Sequence, residues 1–218
     1  MKSEGMQSCA NQKSEVSGLE RALTNFLSPR KLARLLTQVL IQACKAGKVS
    51  HDEVEEMLRD DPEDVLLLGF QWRLLVPARS ARATLEWGDA VLLPKPGEMH
   101  KTPNVVESLV KEAIRISRWD PENAIAEILK VMGEPGWKRI PELVHKLEEE
   151  SKSYNINAIQ IKKIGRELDL EDRVASLIAE LKGNGIMSLK LGSLLEVIRQ
   201  GSPLYELNPS IFVNRTGR

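Results

Sequence analysis

Along most of the chain, apolar residues recur three and four positions apart, the period of a helix that buries one face. Leu32, Leu35, Leu36, Val39, Leu40 and Ala43 make the first such face. They predict a helix from about Pro29 to Lys45, with Ser28 as N-cap, Pro29 in the first turn and Gly47 as the stop. Ser50 then caps a short acidic helix, His51 to Arg59, with Val54, Met57 and Leu58 inward, and Pro62 opens a third helix reaching about Trp72. Beyond it the pattern changes. Leu74-Leu75-Val76, Thr84 to Trp87 and Ala90 to Leu93 read as short strands around a polar turn, Ala78 to Ala83, and Pro94, Pro96 and Gly97 end the run.

The middle of the chain is helical in period. Asn104 to Arg118 carries Val105, Val106, Leu109, Val110, Ala113, Ile114 and Ile116. Asp120 and Pro121 start the next helix, with Ala124, Ile125, Ile128, Leu129 and Met132 inward, and Gly133, Pro135 and Gly136 break it. A third helix runs from about Trp137 to Ser151. Then Ala158, Ile161, Ile164, Gly165 and Leu168 form one stripe, and Leu168-Asp169-Leu170 is a break with Asp169 as the expected N-cap. Val174, Leu177, Ile178 and Leu181 face the core of a following helix, Glu171 to Lys182. Gly183-Asn184-Gly185 is its stop, because glycine and asparagine accept the left-handed conformation needed there. Ile186 to Leu189 and Leu204 to Leu207 read as two strands joined by a long loop that contains Leu194, Leu195, Val197 and Ile198.

From Asn157 to Pro209 this order of helix, break, helix, strand, loop and strand resembles the winged helix-turn-helix superfamily. The first hundred residues repeat it more loosely. The expected fold is mainly α with small β wings: two winged-helix units joined by a helical segment. Residues 1–28 are expected to be a flexible N-terminal tail, 29–100 a first winged unit, 101–152 a helical linker and 153–218 a second winged unit. The resemblance implies DNA contact, with the second helix of the motif in the major groove and the wing on the backbone. On this chain that places Arg173 and Ser176 toward bases and Lys162, Lys163, Arg166, Lys190 and Arg199 toward phosphates. Arg79 and Arg82 would serve the wing of the first unit.

Charge tempers this expectation. Lysine and arginine number 31 against 31 aspartates and glutamates, so any grip on a nucleic-acid backbone has to be local. From Ser151 onward, 10 basic residues face 7 acidic ones, a surplus of three. Asp169, Glu171 and Asp172 suit a helix dipole at the front of the presumed recognition helix but repel phosphate. In the first unit Asp52, Glu53, Glu55, Glu56, Asp61, Glu63 and Asp64 make two acidic helices, which fit a partner surface better than a duplex. Two function classes follow. One is a DNA-binding regulator or chromosome- or replication-associated factor; the other is a protein-interaction scaffold whose winged units dock a partner or a second copy.

Catalytic signals are missing from the sequence. His51, His100 and His145 lie far apart, none with a cysteine or histidine at ligand spacing, and each reads as a surface or cap residue. No nucleophile elbow, phosphate-binding loop or dinucleotide fingerprint occurs. No enzyme activity, metal, cofactor or small-molecule ligand is expected. Trp72, Trp87, Trp119 and Trp137 are scattered, as plugs between elements are, and do not line a basic groove. Cys9 and Cys44 form no framework, and Cys44 reads as a small core residue. The longest apolar run, Val65 to Phe70, is far too short for a membrane span. The chain is expected to be soluble and cytoplasmic.

Overall fold

Ser50 shows how local chemistry sets the architecture. Its hydroxyl accepts from the Glu53 amide at 3.1 Å while the Glu53 carboxylate accepts from the Ser50 amide at 2.7 Å, a reciprocal capping box. The same device recurs at Asn157 and Gln160, with distances of 2.8 and 3.1 Å. In both places the N-cap is also the last residue of a strand. The computed structural model describes residues 15–78, 95–134, 137–190 and 201–213, and these divide into two units.

The first unit contains helix α1 (residues 15–24), α2 (Arg30–Ala46), strand β1 (Val49–Ser50), α3 (His51–Met57), α4 (Pro62–Gln71), β2 (Val76–Pro77) and β3 (Met99–Lys101). It also includes, from Val106 onward, α5 (Asn104–Ile116). The strands pair antiparallel in the order β1-β3-β2, with Val49 opposite His100 and Val76 opposite Lys101. Leu36, Val39 and Leu40 of α2, Val54 of α3, Val65 and Leu66 of α4, and Leu109 and Val110 of α5 fill the core with no exposed surface. Gly69 permits the close approach of α4, since a Cβ there would lie 3.2 Å from Leu36 and 3.1 Å from Leu75.

The second unit holds α6 (Pro121–Val131), a 3-10 turn (Trp137–Arg139), α7 (Ile140–Glu150), β4 (Asn155–Asn157) and α8 (Ala158–Glu167). After a second 3-10 turn (Glu171–Arg173) come α9 (Val174–Gly183), β5 (Met187–Leu189), β6 (Leu204–Leu207) and a final turn (Pro209–Ile211). The strand order is β4-β6-β5, all antiparallel, with Ile156 and Leu189 both opposite Tyr205. Each unit therefore runs helix, strand, helix, helix, strand, strand, with the last strand in the middle of the sheet. The fold is mainly α with two small three-stranded sheets, as expected.

Several boundaries differ from the sequence reading. The expected tail is not all tail. Within residues 15–28, Leu19, Ala22 and Leu23 of α1 are fully buried, and a Cβ at Gly18 would lie 2.8 Å from the Ile114 carbonyl of α5. Burial of each leucine contributes about 1.5–3 kcal/mol, which outweighs the polar composition around them. The expected 101–152 linker is divided: most of α5 belongs to the first unit, while α6 and α7 belong to the second. Asn104–Ile116 is amphipathic, and its face completes the first core, so it cannot act as a spacer. Pro29, not Ser28, occupies the N-cap of α2, and no side-chain cap bond forms there. Met132, expected inward, is 54 % exposed, because α6 ends at Val131 before its stripe reaches it.

Asp169 also plays a different part. It sits at φ 54° as the left-handed residue ending α8, and is not an N-cap. The Leu170 amide donates to Gly165 O at 2.7 Å and the Asp169 amide to Arg166 O at 3.2 Å, the paired bonds of a Schellman cap. Gly185 (φ 74°) closes α9 the same way, through Ile186 to Leu181 O at 2.9 Å and Gly185 to Lys182 O at 3.0 Å. The predicted strands at 84–87 and 90–93 and the loop at 191–200 lie outside the described residues. β1, β3 and β4 were not foreseen.

Candidate nucleic-acid interface

The α8–α9 pair is the helix pair that the sequence pattern singles out, and its packing explains which side chains stay outside. Ile161, Ile164, Leu168, Val174, Leu177 and Leu181 are buried. Gly165 lets the two helices touch, since a Cβ there would lie only 2.4 Å from Val174 Cγ2. That leaves Lys162, Lys163, Arg166 and Ser176 on the solvent side, as expected.

The cations do not form a free positive face. Arg166 makes a two-pronged contact with Glu171, Nε to Oε2 at 3.0 Å and Nη2 to Oε1 at 2.7 Å. This holds the Glu171 carboxyl below its usual range, first through the hydrogen bond from Arg166, and raises Arg166 for the same reason. Lys162 Nζ lies 3.8 Å from the same carboxylate. Lys163 and Lys146 approach Glu167 at 3.9 and 3.2 Å. Between Lys162 and Arg173, four cations are matched by four carboxylates, Glu167, Asp169, Glu171 and Asp172.

Arg173, expected to read bases, is drawn to the protein instead. Its Nη2 donates to Glu134 Oε1, and Glu134 is buried. A buried carboxylate without its cation is costly, so this arginine is held by the fold and is not available to a groove. Ser176 is exposed and donates to the Arg173 carbonyl at 2.9 Å. Lys190 Nζ donates to Asn155 Oδ1 at 2.9 Å, which ties the end of β5 to β4. Arg79, Arg82 and Arg199 lie outside the described residues.

Residues 18–216 match the model of one protein family. The chain belongs to this family, whose function is uncharacterised. No curated protein and no solved structure matches it.

The first unit of this family member carries acid on its corresponding helices. Asp52, Glu53, Glu55 and Glu56 on α3 and Glu63 on α4 are exposed, and Leu67, one turn after Glu63 on α4, is 48 % exposed. The histidines split in a way that the sequence did not reveal. His145 is half-buried on α7, near Glu149 at 3.2 Å, whereas His51 and His100 are buried, correcting the surface reading for both. Trp119 is buried and packs with Phe26 at 5.5 Å between ring centroids; Phe26 also meets Trp72 at 5.4 Å. Cys44 lies half-buried on α2, with Sγ 3.9 Å from Thr102 Oγ1, and burial pushes its thiol up to about 11. No helix among the described residues is long and apolar enough to cross a membrane.

Proposed function

We propose that this chain is a cytoplasmic tandem winged-helix adaptor that works by docking a protein partner, without catalysis. The observation that carries this reading is the charge-matched α8–α9 face, where Glu171 and Glu167 accompany the cations a phosphate would need. The ion pairs are exposed and screened by water, so each opens at little cost. What opposes a duplex is the carboxylates that remain on the face after the pairs open. The acidic α3 and α4 of the first unit add to that repulsion. A mixed-charge face such as α8–α9 instead suits a protein surface of complementary charge, and so, separately, does the exposed Leu67 with Glu63 one turn before it on α4.

Contact with duplex DNA is the second reading. It is favoured by the recurrence of the strand order first-last-middle in both units, which is the order of winged helices. It would use the connections between the paired strands, where Arg79, Arg82 and Arg199 fall in the sequence, together with Lys190.

One pair of measurements separates them. Binding to random duplex and single-stranded DNA is titrated with salt by fluorescence anisotropy, for the wild type and for Lys162→Glu/Lys163→Glu. In parallel, the chain is isolated gently with and without nuclease. Docking predicts a stoichiometric protein partner that survives nuclease, with weak DNA binding that the double substitution leaves unchanged. DNA affinity that falls steeply with salt and with the substitution, in a chain isolated without a partner, would overturn it.

A further inference from the structure

The geometry points to a divalent-cation site on the first turn of α3, held by His51 Nδ1, Asp52 Oδ1 and Glu55 Oε1. The His51 side chain is only 4 % exposed, and neither ring nitrogen has a hydrogen-bond partner among the described residues. Buried polar atoms are rarely left so, and an orphaned one marks a place that a water or an ion can fill. Nδ1 faces two carboxylates, at 3.8 Å from Asp52 Oδ1 and 3.9 Å from Glu55 Oε1, and all three atoms lie within 4.8 Å of one another. Those separations are too long for hydrogen bonds. They are near what a shared ion imposes, since ligand atoms about 2.0–2.2 Å from one metal sit roughly 3–4 Å apart.

Local structure builds this triad. The Ser50 capping box fixes the start of α3, which places His51 and Asp52 in the first turn, and Glu55 stands one turn on, over His51. Asp52 Oδ1 also accepts from the Gly97 amide at 3.1 Å, an outer contact that orients the carboxylate and would let a bound ion fasten α3 to the turn before β3. The proton of the imidazole then belongs on Nε2. The carboxylates are 62 and 52 % exposed, so water can complete the coordination sphere. One imidazole nitrogen and two carboxylate oxygens favour zinc, cobalt(II) or nickel(II) over magnesium or calcium.

The test uses the whole, tag-free chain in a His145→Asn background, because His145 lies near Glu148 and Glu149 and that cluster can pick up cations nonspecifically. Cobalt(II) and zinc are titrated by calorimetry and by visible absorption, with magnesium as the comparison. Long-range proton–nitrogen spectra follow the His51 ring. The proposal expects one equivalent bound, a zinc-dependent shift of His51 Nδ1, and a melting temperature that rises with zinc. It also expects Glu55→Gln and Asp52→Asn to weaken binding by about tenfold or more. Among the described residues the Glu55 carboxylate meets only His51 and Asp52, so Glu55→Gln keeps the test sound if Asp52→Asn disturbs the Gly97 contact. Absence of saturable binding at millimolar zinc, or an unchanged affinity in a folded Glu55→Gln chain, overturns it.

Discussion

Replacing Gly165 by alanine tests the packing of α8 against α9. The added Cβ would stand 2.4 Å from Val174 Cγ2. Carbon atoms pack at about 3.5–4.0 Å, so a gap of more than ~1 Å must open between α8 and α9. Val174 is β-branched and buried, so it has little freedom to turn away. Overpacking of this kind costs about 1–3 kcal/mol. Against it stands the helix preference for alanine over glycine, about 0.8–1.0 kcal/mol. The net expectation is a loss of roughly 0–2 kcal/mol, where propensity alone predicts a gain. The decisive quantity is the coupling with Val174→Ala. That change alone removes two buried methyl groups, worth about 0.8 kcal/mol each. In the double variant the alanine methyl occupies the space vacated by Cγ2, so the two changes together should be milder than their sum by about 1–3 kcal/mol. Urea unfolding followed by far-UV circular dichroism gives all four corners of the cycle. The transition to follow is the one that Val174→Ala displaces. Additive effects, or a Gly165→Ala chain stabilised by the full helix-propensity gain, would refute the close contact of α8 and α9.

Other expectations bear on different parts of the chain. Leu23→Ala should cost about 2–5 kcal/mol in chemical unfolding, because α1 is part of the first core; a change below ~0.5 kcal/mol would return the segment to a tail. Asp169→Gly should stabilise the second unit by about 1 kcal/mol, since a non-glycine residue at φ 54° carries that conformational cost and its lost ion pair with Arg139, 3.7 Å long and exposed, is worth little. Cys44 should resist thiol reagents at pH 7–8 in the folded chain and react on unfolding, measured in a Cys9→Ser background. Its thiol is raised by burial to about 11, so the folded state favours the protonated form; stability linked to it is complete below the unfolded value and declines as pH rises toward 11. A urea midpoint that climbs over that interval in wild type relative to Cys44→Ala would contradict the sign.

The sequence alone determined the helices from α2 onward and several of their ends. Ser50 and Asn157 with acceptors three residues on, Pro62 and Pro121 at helix starts, and Gly183-Asn184-Gly185 as a stop act within one or two turns of chain, so their meaning is local. Amphipathic period likewise marks which face is buried. Tertiary structure decided the rest. A two-residue strand such as Val49–Ser50 has no period to read, and it exists because His100 and Met99 return from a distant part of the chain to pair with it. The sequence could not show that Arg173 would turn to Glu134, 39 residues away, or that His51 would be buried. It also could not show that residues 15–24 would complete a core whose other side is α5. The candidate site divided along the same line. Helical spacing put Lys162, Lys163 and Arg166 on one exposed face, and the turn after α8 brings Glu171 back to two of them; the burial of His51 and the Gly97 contact to Asp52 depend on how distant segments come together.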